Sequence, residues 1–297
     1  MPEAVKALKM LFIINPVSGG GDKSAWTDAI TSYFRDSPHE YEWYEMSGQD
    51  DAASLKHWLS DYKPDRVIAV GGDGTLKFLA EQLLHSGMPV AFLPAGSANG
   101  MALELGLPAD PAAAVKIAVE GRVKKMDVVC INKHISLHLS DIGLNAQLVK
   151  YFEQGDRRGM WGYARGAFRV LWRKEQITVE LTVDGKKMQR KAWMVVIANA
   201  RLYGTGIAIN PDGSVHDGRF EVVLLKRLSV LEVIKMIVRN RRFNRHKTEV
   251  LSAEHVQLKT ASPVYFQVDG EYIGKVTELE AHIEKGAVDM VMGEDLS

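Results

Sequence analysis

Cysteine is almost absent from the 297-residue sequence: Cys130 is the only one, so no disulfide can form within the chain. No secretory-signal pattern opens the sequence, and the two features together give a reducing cytoplasm as the expected compartment. Net charge is lacking as well. Lys+Arg and Asp+Glu each number 37, whereas a dedicated nucleic-acid binder is normally basic, so no nucleic-acid partner is expected. Long apolar runs are missing: Leu11–Ile14 is far below the ~20 residues of a membrane span, and no other stretch reaches that length. Any work on a membrane is expected from the water side. The nine histidines are scattered and suggest no zinc site. Cys130, on an apolar strand, reads as packing rather than as a nucleophile. There is no internal repeat and no low-complexity linker.

What is present is globular. Hydrophobic residues make up 46% and charged residues 25%, and the length suits about two domains of roughly 150 residues. Up to Met126, apolar strands (Met10–Ile14, Tyr41–Glu45, Val67–Val70, Pro89–Leu93) alternate with helical patterns (Ala25–Phe34, Ala52–Tyr62, Leu76–Leu84, Ala98–Leu105, Pro111–Val119). Leu76, Leu79, Ala80, Leu83 and Leu84 share one helix face. This alternation predicts a parallel sheet covered on both faces. From Asp127 the signals turn β-rich: Asp127–Ile131, Ile135–Leu139, Ile177–Val183, Ala192–Asn199, Arg219–Leu225, His255–Thr260, Val264–Val268 and Val276–Ile283. Asp184-Gly185 is a hairpin signal. Helical stretches are expected around Gln147–Trp172 and Val230–Val238. The expected fold is α/β with two domains: a nucleotide-binding domain over 1–126 and a largely antiparallel, sandwich-like domain over 127–288, joined by a short crossing near Arg122–Met126.

Gly71-Gly72-Asp73-Gly74-Thr75 follows a buried strand and opens an amphipathic helix. There, unpaired backbone N–H groups and the positive end of the helix dipole suit an anion, and glycines let phosphate approach the backbone. Thr75 can cap the helix or contact a phosphate. A carboxylate at Asp73 makes sense if Mg²⁺ or a substrate hydroxyl stands between it and the phosphates. Asn15-Pro16-Val17-Ser18-Gly19-Gly20-Gly21 and Pro94-Ala95-Gly96-Ser97-Ala98-Asn99-Gly100 also follow strands. All three loops fall at strand carboxyl ends, where open α/β sheets bind ligands.

Taken in order, Asn15-Pro-x-Ser-Gly19, Gly71–Thr75, Leu93-Pro-x-Gly-Ser97 with Asn99, and Asp269-Gly270-Glu271 resemble the diacylglycerol kinase catalytic-domain family, which includes bacterial lipid kinases and sphingosine and ceramide kinases. The resemblance covers nearly the whole chain. It implies a Rossmann-like, phosphofructokinase-like nucleotide domain and a β-rich second domain with the active site in the cleft between them. It also implies a return of about 289–297 to the first domain. By resemblance, ATP and Mg²⁺ are the expected cofactors. Asn15, Ser18, Gly19, Ser47, Gly71, Gly72, Gly74, Thr75, Ser97 and Asn99 would line the nucleotide, and Asp217 and Asp269 would serve the metal. Gly100 stands where diacylglycerol-type members carry Asp, a departure shared with sphingosine and ceramide kinases. Gln147 stands about where sphingosine kinases carry an acid.

Phosphoryl transfer to a hydroxyl needs held phosphates, a divalent cation and a group to accept the proton. Glu271 is the first candidate base and Asp73 the second, while Asp269 would orient Glu271 or bind Mg²⁺ through water. Asp269-Gly270 also reads as a plain hairpin turn, and Asp127 as either a cleft acid or a strand cap. A cluster of Arg157, Arg158, Arg165, Arg169, Arg173 and Lys174 interleaved with Trp161, Tyr163, Phe168 and Trp172 suits transient contact with an anionic bilayer. The basic run Arg239–Lys247 reads as ordinary snorkelling over a core helix. The function expected is an ATP-dependent kinase of a diacylglycerol-, sphingoid- or ceramide-like lipid, peripheral at the inner membrane surface; self-association is left open. The alternatives are an NAD kinase-like enzyme and a non-catalytic nucleotide- or lipid-binding regulator.

Overall fold

The computed structural model describes residues 6–20, 22–143, 146, 176–203, 207–208, 210, 213–226 and 248–293. The chain divides into two compact units, Met1–Met126 with Gly286–Ser297, and Asp127–Lys285.

In the first unit, β1 (Lys9–Ile14), β2 (Glu40–Glu45), β3 (Arg66–Gly71) and β4 (Val90–Pro94) alternate with α1 (Ser24–Phe34), α2 (Asp51–Asp61), α3 (Asp73–Gln82), the short α4 (Gly100–Glu104) and α5 (Pro111–Glu120). The strands are parallel, with β1 between β2 and β3 and with β4 beyond β3. Apolar residues on both faces of β1, β3 and β4 are buried, as strands sandwiched between helices require. Met10, Phe12 and Ile14 pack against Ile30 and Phe34 of α1 and against Ala114, Val115, Ala118 and Val119 of α5. The α5 start is written in its sequence: Asp110 Oδ1 accepts the Ala113 amide at 2.8 Å and proline occupies the first turn. β2 is an edge, and glutamates at 40, 42 and 45 discourage further pairing there. The chain leaves β1 toward β2 on one side and returns to β3 on the other. The carboxyl ends of β1 and β3 therefore flank a topological switch point, where ligands enter such sheets.

The second unit is antiparallel. Its strands are β6 (His134–Ser136), β7 (Leu139–Gly143), β8 (Ile177–Val183), β9 (Lys186–Ala192), β10 (Met194–Ala198), the two-residue pair β11 (Leu202–Tyr203) and β12 (Ile207–Ala208), β13 (Phe220–Leu225), β14 (Thr248–Ala253) and β15 (His255–Val268). The order β14-β13-β10-β7-β15 is continuous, with β8 and β9 following from β15. Period-two alternation sends Phe220, Val222 and Leu224 into the main core and Val223 and Leu225 into a second cluster with Leu139, Met194, Val196 and Ala198. Two long strands, β5 (Arg122–Ile131) and β16 (Glu271–Met292), contribute residues to both units. Met290 of β16 pairs in parallel with Val90 of β4.

Four expectations change. The crossing at Arg122–Met126 is made within β5 itself. The strand expected over Ile135–Leu139 is interrupted between β6 and β7, because the Leu137, His138 and Leu139 amides bond to the Asp269 carboxylate instead of to a ladder. The two strands expected at His255–Thr260 and Val264–Val268 are one, with a register shift against β16 between Lys259 and Val264. The helix expected over Ala98–Leu105 shrinks to α4, since Asn99 takes a left-handed conformation. The helical stretches around Gln147–Trp172 and Val230–Val238, the position of Gln147, and both basic clusters lie outside the described residues.

Candidate phosphate-binding site and the Asp269 turn

The three glycine-rich loops of the first unit touch backbone to backbone. Gly19 has φ of 58°, and a Cβ there would come within 2.3 Å of the Ala95 carbonyl oxygen. A Cβ on Gly96 would come within 2.4 Å of Gly72 Cα. Only glycine permits either approach. Side chains then tie the loops in pairs. Asn15 Nδ2 donates to Thr75 Oγ1 at 3.2 Å, joining the first loop to the second. Asp73 joins the second to the third: its oxygens accept the Gly100 and Met101 amides at 2.8 and 3.0 Å and cap α4 from another loop. Lys23 joins the first to the third, donating to the Ser18 carbonyl and to the Ala95 carbonyl at 2.6 Å.

Within this frame the remaining expected residues fall into two groups. Asn99 is consumed locally: its Oδ1 accepts the Gly96 amide, and its Nδ2 donates to the Pro94 and Gly96 carbonyls. Ser18 donates to the Asn15 carbonyl at 3.0 Å. Ser47 donates to the Gln49 carbonyl at 2.7 Å and helps open α2. These three organise loops. Gly71 ends β3, Gly72 caps α3, and Gly74 and Ser97 are exposed. Among the described residues no hydrogen bond takes up the Asp73 and Gly74 amides, so the α3 N-terminus presents two donors. Asp73 also keeps acceptor capacity, since a carboxylate offers about four lone-pair sites and two are used.

Two residues here were not singled out from sequence. Lys23 is buried, and burial draws its ammonium below the ordinary lysine range, partly countered by Asp22. A cation four residues after Gly19 was the available signal. Asp51 would be raised by burial, but bonds from the Tyr44 hydroxyl, the Ser47 and Gly48 amides and the Ser47 hydroxyl hold its carboxyl below the usual value of 3.8.

In the second unit, Asp269 and Gly270 form a two-residue hairpin turn with φ of 48° and 88°, the type I′ signature. Asp269 Oδ1 accepts from the Ser136 hydroxyl and the His138 and Leu139 amides, and Oδ2 from the Leu137 amide, all within 2.8–3.1 Å. Three of these donors converge on Oδ1 and one on Oδ2, which keeps a lone-pair site. Asp269 thus anchors the Ser136–Leu139 segment to the turn. Glu271 is exposed, the first residue of β16, and pairs with Val268. Behind the turn, Gln267 accepts the Gly270 amide at 2.7 Å and donates to Asp141, which accepts the Ala146 amide at 2.9 Å. Gln267 and Asp141 are each 1% exposed and face each other across β15 and β7. A charge at the centre of the apolar Leu139–Gly143 strand was the signal for Asp141. His138 Nε2 and Asn199 Oδ1 are buried without a hydrogen-bond partner among the described residues.

Asp127 is 3% exposed and accepts the Gly218 amide at 2.6 Å. It thereby pins the turn carrying Asp217. That residue is exposed and accepts the Arg219 amide at 3.0 Å. Burial raises the neighbouring Glu221 carboxyl against the Asn210 hydrogen bond, and the charge of Asp217 adds to the rise. Burial, with the charge of Glu284, also pushes the Cys130 thiol up, which makes it a poor nucleophile.

An open parallel sheet with three interlocked glycine-rich loops at its switch point defines a nucleotide- or phosphate-handling α/β protein. Residues 9–131 match the family described as diacylglycerol kinase catalytic domain, and residues 141–292 the YegS C-terminal NAD kinase beta sandwich-like domain. The chain belongs to the diacylglycerol kinase catalytic-domain family. A diacylglycerol kinase of Bacillus subtilis is 24% identical, over 88% of this chain and 89% of its own length. One of Staphylococcus epidermidis is 25% identical, over 96% and 93%. An uncharacterized Synechocystis protein is 25% identical, and the match spans 65% of its length. The crystal structure of a diacylglycerol kinase from Bacillus anthracis superimposes with a TM-score of 0.73 at 20% identity, covering 99% of this chain and all of that one, and supports the fold.

Proposed function

We propose that the chain is an ATP-dependent lipid kinase that transfers the γ-phosphate to a hydroxyl of a diacylglycerol-, sphingoid- or ceramide-like lipid. The observation that carries this reading is the α3 N-terminus, whose two unengaged amides stand among loops locked together by Asn15, Asp73 and Lys23. The family membership and the names of the relatives support the acceptor class.

The residues present fit Mg²⁺-ATP. A Cβ on Gly74 would meet nothing within 4 Å, so there is open space at the start of α3. Asp73 retains two lone-pair sites for a hard cation. Magnesium, when bound, supplies charge neutralisation to the β- and γ-phosphates. The α3 amides hold phosphate oxygens, Thr75 is oriented by Asn15, and Lys23 keeps the first and third loops at a fixed separation. Glu271 accepts the proton of the acceptor hydroxyl, and Asp269 positions it by fixing the turn from which β16 starts. Asp217 would hold a structural cation away from the reacting atoms. The lipid is met at a membrane surface; among the described residues no helix is long and apolar enough to cross a membrane.

The test is transfer of labelled γ-phosphate from Mg²⁺-ATP to detergent-dispersed diacylglycerol, sphingosine and ceramide, with NAD as the soluble control. Labelled lipid is expected, with kcat falling by about 10²-fold or more in Glu271→Gln and Asp73→Asn. Labelling of NAD alone, or ATP binding with no labelled lipid, would overturn the reading.

A further inference from the structure

β5 and β16 are neighbours, and the Asn132 amide donates to the Glu280 carbonyl at 2.8 Å while Asn132 Oδ1 accepts the Glu280 amide at 2.9 Å. Two residues from each of these partners stand Cys130 and His282, and Glu284 follows on the same face of β16 because side chains alternate along a strand. The opposite face of both strands is committed to the core through Val129, Ile131 and Ala281, with Ile283 packed against it. Cys130, His282 and Glu284 therefore share the remaining face, each half-buried. Cys130 Sγ, a ring nitrogen of His282 and a carboxylate oxygen of Glu284 all lie within 4.8 Å of one another, and His282 Nε2 is 3.1 Å from Glu284 Oε1. Nearby Glu280 is engaged elsewhere, with His255 at 2.8 Å and with Gln257.

We propose that Cys130, His282 and Glu284 form a divalent transition-metal site, with Zn²⁺ as the ion that suits it. The donor set decides the class. One sulfur, one imidazole nitrogen and one carboxylate oxygen match a borderline-soft ion, whereas Mg²⁺ and Ca²⁺ take oxygen alone. Size agrees too. Tetrahedral Zn²⁺, with bonds of about 2.0–2.3 Å, sets its ligand atoms about 3.3–3.6 Å apart. Closing from 4.8 Å asks about 1 Å of side-chain rotation at half-buried positions and no movement of the strands. Three protein ligands leave the fourth position to water. As the Sγ–metal bond forms, the thiol proton passes to solvent. None of the three residues belongs to the glycine-rich loops or to the Asp269 turn, so the site is additional to the phosphoryl-transfer machinery.

The chain's single cysteine makes the test specific, because any metal–thiolate signal reports Cys130. Full-length protein stripped with a chelator is titrated with Co²⁺ and then with Zn²⁺. The expected result is one Co²⁺ per chain with a cobalt–thiolate charge-transfer band, displaced by Zn²⁺. Cys130→Ser should abolish the band, and Glu284→Gln, a change at a half-buried position, should weaken Zn²⁺ binding at least about tenfold. Circular dichroism of each variant establishes that it is folded. Zn²⁺ should also slow the reaction of Cys130 with a disulfide reagent in the wild type but not in Glu284→Gln. Folded wild type with no thiolate band, or equal Zn²⁺ affinity in wild type and both variants, would overturn the site.

Discussion

Asp73 and Asp269 show how the same side chain takes different work according to how many donors it meets. Asp73 receives two amides and keeps room for a ligand; Asp269 receives four donors, three of them on one oxygen, and is held in place by them. Asp269→Ala should therefore be a stability mutation first. It leaves several donors unpaired and puts a Cβ-bearing residue at φ of 48° without the local bonds that favour Asp there. A loss of roughly 3 kcal/mol is expected in urea unfolding, with Asp269→Asn, which tolerates that φ and keeps one oxygen, losing less. Asp51 gives a pH signature. Its carboxyl is held below 3.8 in the folded chain, so its stabilisation is complete above that value and is lost as pH falls through the lowered folded one. Asp51→Asn should be less stable at neutral pH and should show a flatter loss of stability with acid below about pH 4 in urea unfolding across a pH series.

At the scale of elements, the start of α3 separates folding from ligand binding. Gly96→Ala forces a Cβ to 2.4 Å from Gly72 Cα; it should cost about 1–3 kcal/mol of stability and weaken ATP binding together. Gly74→Ala meets no such obstacle and improves helix propensity by up to about 1 kcal/mol. It should preserve or raise the melting temperature while weakening ATP, because the methyl group takes up open space at the start of α3. Isothermal titration beside thermal melts distinguishes the two effects, and an ATP affinity unchanged in Gly74→Ala would remove the phosphate from α3. The sheet of the first unit was legible because β1, β3 and β4 are apolar on both faces. The turns at Asp184-Gly185 and Asp269-Gly270 were legible because type I′ geometry demands residues that accept positive φ. β9 and β14 escaped notice because they are exposed and polar on alternate residues or more. The break between β6 and β7 escaped because its cause, Asp269, lies some 130 residues away along the chain. Of the candidate site, the glycine-rich loops were legible from their position after strands. The clamps Lys23, Asp141 and Gln267 were not, because what each grips is set by tertiary contact rather than by neighbours in sequence.

For the molecule as a whole, the shared strands matter most. Val288, Met290, Val291 and Met292 are each about 1% exposed or less and belong to the end of β16 that lies beside β4. A chain cut after Lys285 would lose that strand from the first unit and bare Val90 and Ala91. The expected outcome is loss of ATP binding and of the first unit's unfolding transition in calorimetry, with the antiparallel unit's transition retained. A truncated chain that still binds ATP with unchanged affinity would contradict this dependence.

The same strand sets an order of events during synthesis. Met290 and Val90 are two hundred positions apart, and closure of so long a loop is entropically slow. The first unit, although most of it precedes the antiparallel unit in the chain, has to wait with the flank of β4 uncovered until β16 has been translated. Its completion follows synthesis of the whole antiparallel unit, and the interval before it is when the nascent protein is most exposed to aggregation and most dependent on chaperones.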